Sequence, residues 1–266
     1  MNNDPDNFQF AIVADRTGSH RPGAFADAVP KINHLQPDFV MCVGDLVEGD
    51  DENVDVLVAQ WDEFDAMVEK LEMPFFYLTG NHDLTSEKAI QIYKQRRGRA
   101  YYHFLYKDVL FLCMNSEDIL AKSDGIGDEQ IEYFADVLKK HQNATWVCVF
   151  VHKPIWQKKD ANGWQKFAPL LSGRKHTVFS GHDHKYSKAI RNGVNYYKLA
   201  TTGAGSASKL KGPQQGKFDH VMWVTMTDQG PRIANLLLDG IFGDDPPTEA
   251  KLKNLNDQKT TASSPK

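Results

Sequence analysis

Residues 75–83 read Phe-Phe-Tyr-Leu-Thr-Gly-Asn-His-Asp, an apolar run that passes directly into a polar turn. Four other segments end in residue types that bind metal ions or transfer protons, and most of them also follow an apolar run: Asp15-Arg16-Thr17, Gly44-Asp45, Val151-His152-Lys153-Pro154 and Gly181-His182-Asp183-His184. Parallel strands buried on both faces read as continuous apolar runs, and open α/β sheets place their sites beyond the carboxyl ends of the strands. We therefore expect the five segments to meet in one site.

The pattern around these segments predicts β/α alternation in the first half and mainly antiparallel strands in the last third. Apolar residues at spacings of three and four predict a long amphipathic helix over 52–71, which Pro74 ends before a strand over 75–78. Asn192-Gly193 lies between two short strand-like runs and predicts a hairpin, as does the turn at 228–230. The polar stretch 248–266 lacks a periodic apolar face and is expected to be a disordered tail.

Composition excludes some partners and leaves the compartment open. The chain has 266 residues and a formal net charge of -4, which gives no basic field for nucleic acid or an anionic membrane. No apolar run approaches the ~20 residues of a membrane span, and the three cysteines lie in apolar runs typical of buried strands. Residues 1–7 lack a signal-peptide apolar region, which predicts a cytoplasmic protein if the chain is complete and an exported one if a leader was removed. The sequence does not indicate an oligomeric state.

Six potential metal ligands lie at or just beyond the apolar segments: Asp15, Asp45, Asn81, His152, His182 and His184. Oxygen donors mixed with imidazole suit Mn, Fe or Zn, and six donors are too many for one ion that must also leave positions open for water and substrate. Two ions ~3.5 to 4 Å apart that share a carboxylate would use all six. Asp45 is the best bridging candidate.

The order and composition of these segments resemble the metallophosphoesterase family, also called calcineurin-like phosphoesterases, over roughly residues 8–238. Gly80-Asn81-His82-Asp83, followed about a hundred residues later by Gly181-His182-Asp183-His184 and with His152 between them, is specific for that family. The resemblance implies one metallophosphoesterase domain over 8–240, built as a four-layer sandwich of two mixed β-sheets flanked by helices. Its implied cofactors are two divalent or trivalent metal ions.

Carried over position by position, the resemblance implies one metal at Asp15, Asp45 and His184 and a second at Asp45, Asn81, His152 and His182. His82 corresponds to the family's histidine that protonates the leaving oxygen, with Asp83 orienting it through a hydrogen bond. Two cations lower the pKa of a shared water, and the metal-bridging hydroxide then attacks phosphorus in line. The implied activity is hydrolysis of a phosphate-ester substrate, whether monoester, diester, nucleotide or phosphoprotein.

The first segment departs from the family's pattern, because Thr17 stands where the family has His. Water, Thr17 itself or His20 would have to supply the missing ligand, or the first site binds weakly. Glu48 replaces the family's second Asp and is interpreted as a carboxylate that fixes the loop. Arg16 is a candidate for binding the substrate phosphate through its guanidinium fork, with a solvated or packing role as the alternative.

Two further segments and two rival functions remain open. The Gly-rich stretch 201–206 predicts a flexible loop near the cleft, and His220 opens a strand that could border the cleft. The altered first site raises the alternative of a non-catalytic or weakly active metal-binding scaffold, and the long helix or the tail could recruit a protein partner. The presence of His82 and Asp83 favours catalysis over a scaffold.

Overall fold

Two β-sheets form the centre of the protein in a computed structural model that describes residues 7–118, 125–158, 163–205 and 209–240. The strands are β1 (Phe8–Val13), β2 (Phe39–Cys42), β3 (Phe75–Phe76), β4 (Tyr102–Tyr106), β5 (Val109–Met114), β6 (Trp146–Val151), β7 (His176–Ser180), β8 (Ser187–Arg191), β9 (Val194–Lys198), β10 (His220–Thr227) and β11 (Gly230–Leu237). The α-helices are α1 (Ala24–Leu35), α2 (Val54–Val68), α3 (Glu87–Arg97), α4 (Asp128–Lys140) and α5 (Trp164–Phe167). The expected tail, 248–266, lies outside the described residues.

Both sheets are mixed, as the predicted fold class requires. The first has the order β11-β10-β1-β2-β3, in which β1, β2 and β3 are parallel and β10 runs antiparallel to β1. The second has the order β4-β5-β6-β7-β9-β8, with four parallel strands between antiparallel edges. The hairpins expected at 192–193 and 228–230 are confirmed as β8–β9 and β10–β11.

Strand β5 shows why the buried strands read as unbroken apolar runs. Its odd-numbered residues face the first sheet, where the Phe111 ring lies 5.4 Å from both the Phe10 and the Phe39 rings. Its even-numbered residues, among them Leu110 and Leu112, pack in a second core with residues of α4 and α5. Since successive side chains of a strand point to opposite faces, both faces must be apolar when both are covered.

Strand β3 is shorter than the sequence indicates, because its pairing with β2 stops after two residues. Beyond it the Leu78 amide donates to the Cys42 sulfur over 3.0 Å instead of continuing the ladder. Cys42, Cys113 and Cys148 are all free and buried, which confirms their expected role as small core residues. None of the helices in the described ranges has the length and apolarity needed to cross a membrane.

Candidate metal centre

The six expected ligands meet beyond the carboxyl ends of strands from both sheets. Their donor atoms fall into two groups, each with all its atoms within 4.8 Å of one another. The first donor group consists of Asp15, Asp45 and His184, and the second of Asp45, His152 and His182. Asn81 joins the second group, since its Oδ1 lies 3.1 Å from His152 Nε2. Asp45 is common to both groups, as a shared carboxylate must be.

Several ligand candidates have backbone conformations that their residue types seldom adopt. Asp15, Asp45, His182 and His184 all have positive φ, at 27°, 58°, 74° and 48°. Such angles cost of order 1–3 kcal/mol each and persist where the surrounding structure enforces them, commonly at functional sites. The chain here turns sharply at the strand ends, and this turn aims the side chains into one space.

Two glycines leave room for the carboxylates. A Cβ atom at Gly80 would lie 2.2 Å from Asp45 Oδ1, and one at Gly181 would lie 2.2 Å from Asp15 Oδ2. Both distances are far below van der Waals contact, so any side chain at these positions would displace a ligand candidate. The steric need explains why glycine precedes Asn81 and His182.

A buried oxygen in the first donor group supports a cation there. Asp15 Oδ2 has no hydrogen-bond partner among the described residues, although Asp15 is fully buried. Burial raises the pKa of Asp15 well above its ordinary value, and the neighbouring Asp45 carboxylate raises it further. An unpaired buried carboxylate oxygen beside a second carboxylate is costly without a positive charge between them. The residues present therefore fit a metal ion.

The second donor group is held by hydrogen bonds. His152 Nδ1 lies 2.7 Å from the Val43 carbonyl and donates to it, which directs Nε2 to Asp45 Oδ2 at 3.2 Å. Burial alone would lower the pKa of His152, but the Asp45 and Asp15 charges raise it to about 10. The same pairing lowers the pKa of Asp45 to about 2 against the opposing effect of burial. A bound cation would take the place of the proton shared in this pair.

His182 has the neutral imidazole that metal ligation requires. Burial lowers its pKa to about 4, and the charge on His152 acts in the same direction. Its backbone amide donates to Asp15 Oδ1 over 2.7 Å, so the His182 turn links the two donor groups.

His82 lies beside the first donor group. Its Nδ1 is 2.9 Å from the Glu48 carbonyl, and its backbone amide donates to Asp45 Oδ1 over 3.0 Å. A Cβ atom at Gly18 would lie 3.7 Å from His82 Nε2 and 3.4 Å from His184 Nε2, so both ring nitrogens border the same space. The ring is thus oriented by a main-chain carbonyl, with Nε2 left available.

The expectation that Asp83 orients His82 is wrong. The Asp83 carboxylate is fully buried and accepts hydrogen bonds from four backbone amides, those of Asp45, Leu46, Val47 and Gly80. Burial and the Asp45 charge raise the pKa of Asp83 to about 7. Three of these amides lie in the turn after β2 and the fourth, at Gly80, lies beyond β3, so none has a strand partner and Asp83 satisfies them. It therefore fixes the Asp45 turn, and the Glu48 carbonyl fixes His82.

The loop after Asp15 is organised by Glu48, as expected. Its carboxylate accepts from the amides of Ser19 and His20 at 3.2 and 2.8 Å and contacts His20 Nδ1 at 2.9 Å. Burial raises the pKa of Glu48, but these hydrogen bonds outweigh it and lower the pKa to about 2. His20 belongs to neither donor group, so its contacts do not support a ligand role.

Arg16 has contacts that do not support phosphate binding. Its guanidinium donates to the Leu46 carbonyl over 3.0 Å and to Glu63 of α2 over 2.6 Å, and 5 % of the residue is exposed. These contacts direct the charge towards α2. They match the packing alternative, in which Arg16 ties the first loop to the long helix.

Sequence reasoning missed the segment that holds Asp15 in place. Residues 201–205, expected as a flexible loop, clamp the first turn: Thr201 Oγ1 and the Ala204 amide both donate to the Asp15 carbonyl, over 2.8 and 3.0 Å. His220 is buried beneath this segment rather than bordering the cleft, with its Nε2 accepting from the Ala200 amide. Burial lowers the pKa of His220 to about 4. In the sequence this segment is distinguished only by its glycines, which do not indicate a contact with Asp15.

Comparison with known proteins decides the family. A sequence model of calcineurin-like phosphoesterases matches residues 8–186, two thirds of the chain. The chain belongs to the calcineurin-like phosphoesterase family. Membership in this family implies a binuclear metal centre, in agreement with the two donor groups, and a phosphate-ester substrate. No curated protein sequence matches the chain.

Solved structures share the fold at low sequence identity. A dimetal phosphatase from Danio rerio is 14 % identical, with a TM-score of 0.60 over 87 % of this chain and 99 % of that one. A purple acid phosphatase from yellow lupin (Lupinus luteus) seeds is 16 % identical, with a TM-score of 0.65 over 90 % of this chain and 53 % of that one. GAP50, the anchor in the inner membrane complex of Plasmodium, is 15 % identical, with a TM-score of 0.61 over 97 % of this chain and 95 % of that one.

Proposed function

We propose that this calcineurin-like phosphoesterase hydrolyses phosphate esters at a binuclear metal centre. The observation that carries the proposal is the position of Asp45, whose carboxylate belongs to both donor groups at once. Asp15, Asp45 and His184 would hold one cation, and Asp45, Asn81, His152 and His182 would hold the other. Bound divalent cations of this kind polarise phosphoryl oxygens and lower the pKa of a water molecule towards neutrality.

His82 is the proposed general acid. Because its Nδ1–H donates to the Glu48 carbonyl, a second proton on the cationic ring must sit on Nε2, the nitrogen that borders the first donor group. Nε2 is thus placed to protonate a leaving alkoxide. The Glu48 carbonyl stabilises this orientation, and 22 % of the His82 side chain is exposed, which leaves access for substrate.

His82→Ala in the metal-loaded protein tests the assignment. General acid catalysis contributes typically ~10² to 10⁴ in rate, and most for a poor leaving group. We expect alkyl phosphate hydrolysis to fall by about that range, aryl phosphate hydrolysis to fall less, and metal content to stay unchanged. His34→Ala, at the exposed end of α1, serves as the control. Equal losses on both substrates would assign His82 to charge stabilisation, and loss of metal would make it a ligand.

The alternative is a metal-binding scaffold with little or no activity. The observation that favours it is Thr17, which offers a buried hydroxyl where the family has an imidazole. A protein that binds its metals but hydrolyses neither alkyl nor aryl phosphates would decide for the scaffold and against the enzyme.

A further inference from the structure

Positive charge is strongly segregated in this chain. Between Asp183 and Asp219 the sequence has no acidic residue but seven cations: Lys185, Lys188, Arg191, Lys198, Lys209, Lys211 and Lys217. The whole chain has a formal net charge of -4, so the remaining residues are markedly acidic. The average charge conceals a basic region that begins one residue after the ligand candidate His184.

Three of these seven cations are engaged. Lys198 pairs with Asp183, Arg191 donates to the Trp156 carbonyl, and Lys188 lies over the Tyr197 ring. The other four have no ion pair or side-chain hydrogen bond within the described ranges. We call them the cationic flank: Lys185, Lys209, Lys211 and Lys217.

Two residues of the cationic flank line an open cavity of about 450 Å³, whose wall begins at Lys185, the residue after the ligand candidate His184. Its walls are Lys185, Tyr186 and the turn 213–217. A hydrogen bond holds this turn against the residues that follow His184: the Tyr186 amide donates to the Gly216 carbonyl over 2.7 Å. A Cβ atom at Gly216, where φ is +69°, would lie 2.5 Å from the Tyr186 carbonyl oxygen, so only glycine permits this approach.

Lys209 lies beside His184 of the first donor group. A Cβ atom at Gly205 would lie 3.6 Å from Lys209 Cδ and 3.9 Å from His184 Nδ1. The Lys209 side chain and the His184 ring thus flank the same glycine. His184 therefore has one cation beside it in space, Lys209, and another next to it in the chain, Lys185, which belongs to the cavity wall.

We propose that this cavity is a subsite for a second phosphate group, so that the preferred substrate is a small ester carrying two phosphates. The inference rests on the proposed function, with one phosphate at the metal centre and the other held by Lys185 and Lys217. Lysine ammonium groups bind phosphate as point charges, and the Gln214 and Gln215 amides at the wall are further donors.

The cavity fits a small molecule better than a polynucleotide. It is open to solvent and lined mainly by polar groups, which suits a charged phosphate group better than an apolar ligand. Binding of a single strand combines a charged groove with exposed aromatic faces for the bases. Here the Tyr186 ring packs against Phe218 and His220, at 5.8 and 6.1 Å between ring centroids, and is half-buried.

The experiment compares butane-1,4-diol monophosphate with butane-1,4-diol bisphosphate on the metal-loaded full chain. We expect kcat/KM to favour the bisphosphate by about tenfold or more, the discrimination of one well-formed charged contact. In Lys185→Gln/Lys217→Gln this ratio falls towards one, chiefly through KM for the bisphosphate. Lys139→Gln/Lys140→Gln on α4 removes the same charge elsewhere and keeps the ratio.

Three results would overturn the subsite: no bisphosphate preference in the unaltered protein, a preference that survives in the cavity variant, or equal losses in the control variant. Tighter binding of a single-stranded oligonucleotide than of the bisphosphate would overturn it as well. Calorimetric binding of the bisphosphate separates this proposal from the proposed function. Binding that only the cavity variant loses, in a protein that hydrolyses neither ester, keeps the subsite and rejects the enzyme.

Discussion

The two donor groups are built in different ways. In the second group His152 is fixed on both ring nitrogens, by the Val43 carbonyl on one side and by Asn81 and Asp45 on the other. In the first group Asp15 Oδ2 has no partner within the described residues, and His184 Nε2 lies 3.6 Å from Asp15 Oδ1. One group is organised by its own hydrogen bonds, whereas the other is organised by the turns that carry it.

This difference predicts unequal metal affinities. Partners that fix the orientation of a ligand raise metal affinity, typically by 10- to 100-fold, and the second group has such partners. The first group also has a threonine where the family supplies an imidazole. We therefore expect the second group to bind its metal first and the first group to bind more weakly.

Asp45→Asn would break both groups at once and has the largest expected effect. The substitution removes a charge but little volume, and the amide oxygen can still accept from the His82 amide. Since Asp45 is shared, we expect both metals to be lost and turnover to fall by more than about 100-fold. Elemental analysis and hydrolysis of a chromogenic phosphate measure the two losses.

Asp183→Asn is the matched control for this experiment. Asp183 lies between the ligand candidates His182 and His184, but its carboxylate pairs with Lys198 and belongs to neither donor group. We expect near-normal metal content and turnover. Near-normal turnover in Asp45→Asn would show that Asp45 does not bridge two metals.

The same contrast explains how much of the site could be predicted. The ligand candidates follow apolar strands, and the local sequence shows where these strands end. Their meeting at one site was therefore predictable from β1, β2 and β7. The directions in which the Arg16 and Asp83 side chains point were not predictable, because each depends on hydrogen-bond partners in another loop or helix. The contact between Thr201 and Asp15 joins residues 186 positions apart and has no local pattern at all.

His220 sharpens the comparison, because it supports the turn that holds the first group. Its carbonyl accepts from Thr202 Oγ1, and that oxygen accepts from the Ala14 amide beside Asp15. Its folded-state pKa, about 4, lies below the ~6.5 of an unfolded histidine. The unfolded state therefore binds more protons between these values, and stability falls as the pH drops from about 6.5 to about 4.

We expect His220 to account for about 2 kcal/mol of lost stability at pH 5 relative to pH 8. In His220→Gln, whose amide can replace both ring contacts, this share of the pH dependence should disappear from the free energy of unfolding measured in urea. The control is His34→Gln, at an exposed position on α1, which should keep the pH dependence of the unaltered protein. Identical pH profiles for His220→Gln and the unaltered protein would show that another group titrates.

Thr17→His tests the weakness of the first group directly and has the smallest expected effect. Thr17 is fully buried two residues after the ligand candidate Asp15, at the position where the family has an imidazole. Calorimetric metal titration of the unaltered protein should show two unequal steps, and Thr17→His should tighten the weaker step by about tenfold. Ser19→His adds an imidazole to the exposed part of the same loop and should change neither step. Two equal binding steps in the unaltered protein would contradict a difference in metal affinity between the groups. If Thr17→His leaves the weak step unchanged and His20→Ala abolishes that step, the missing ligand is His20.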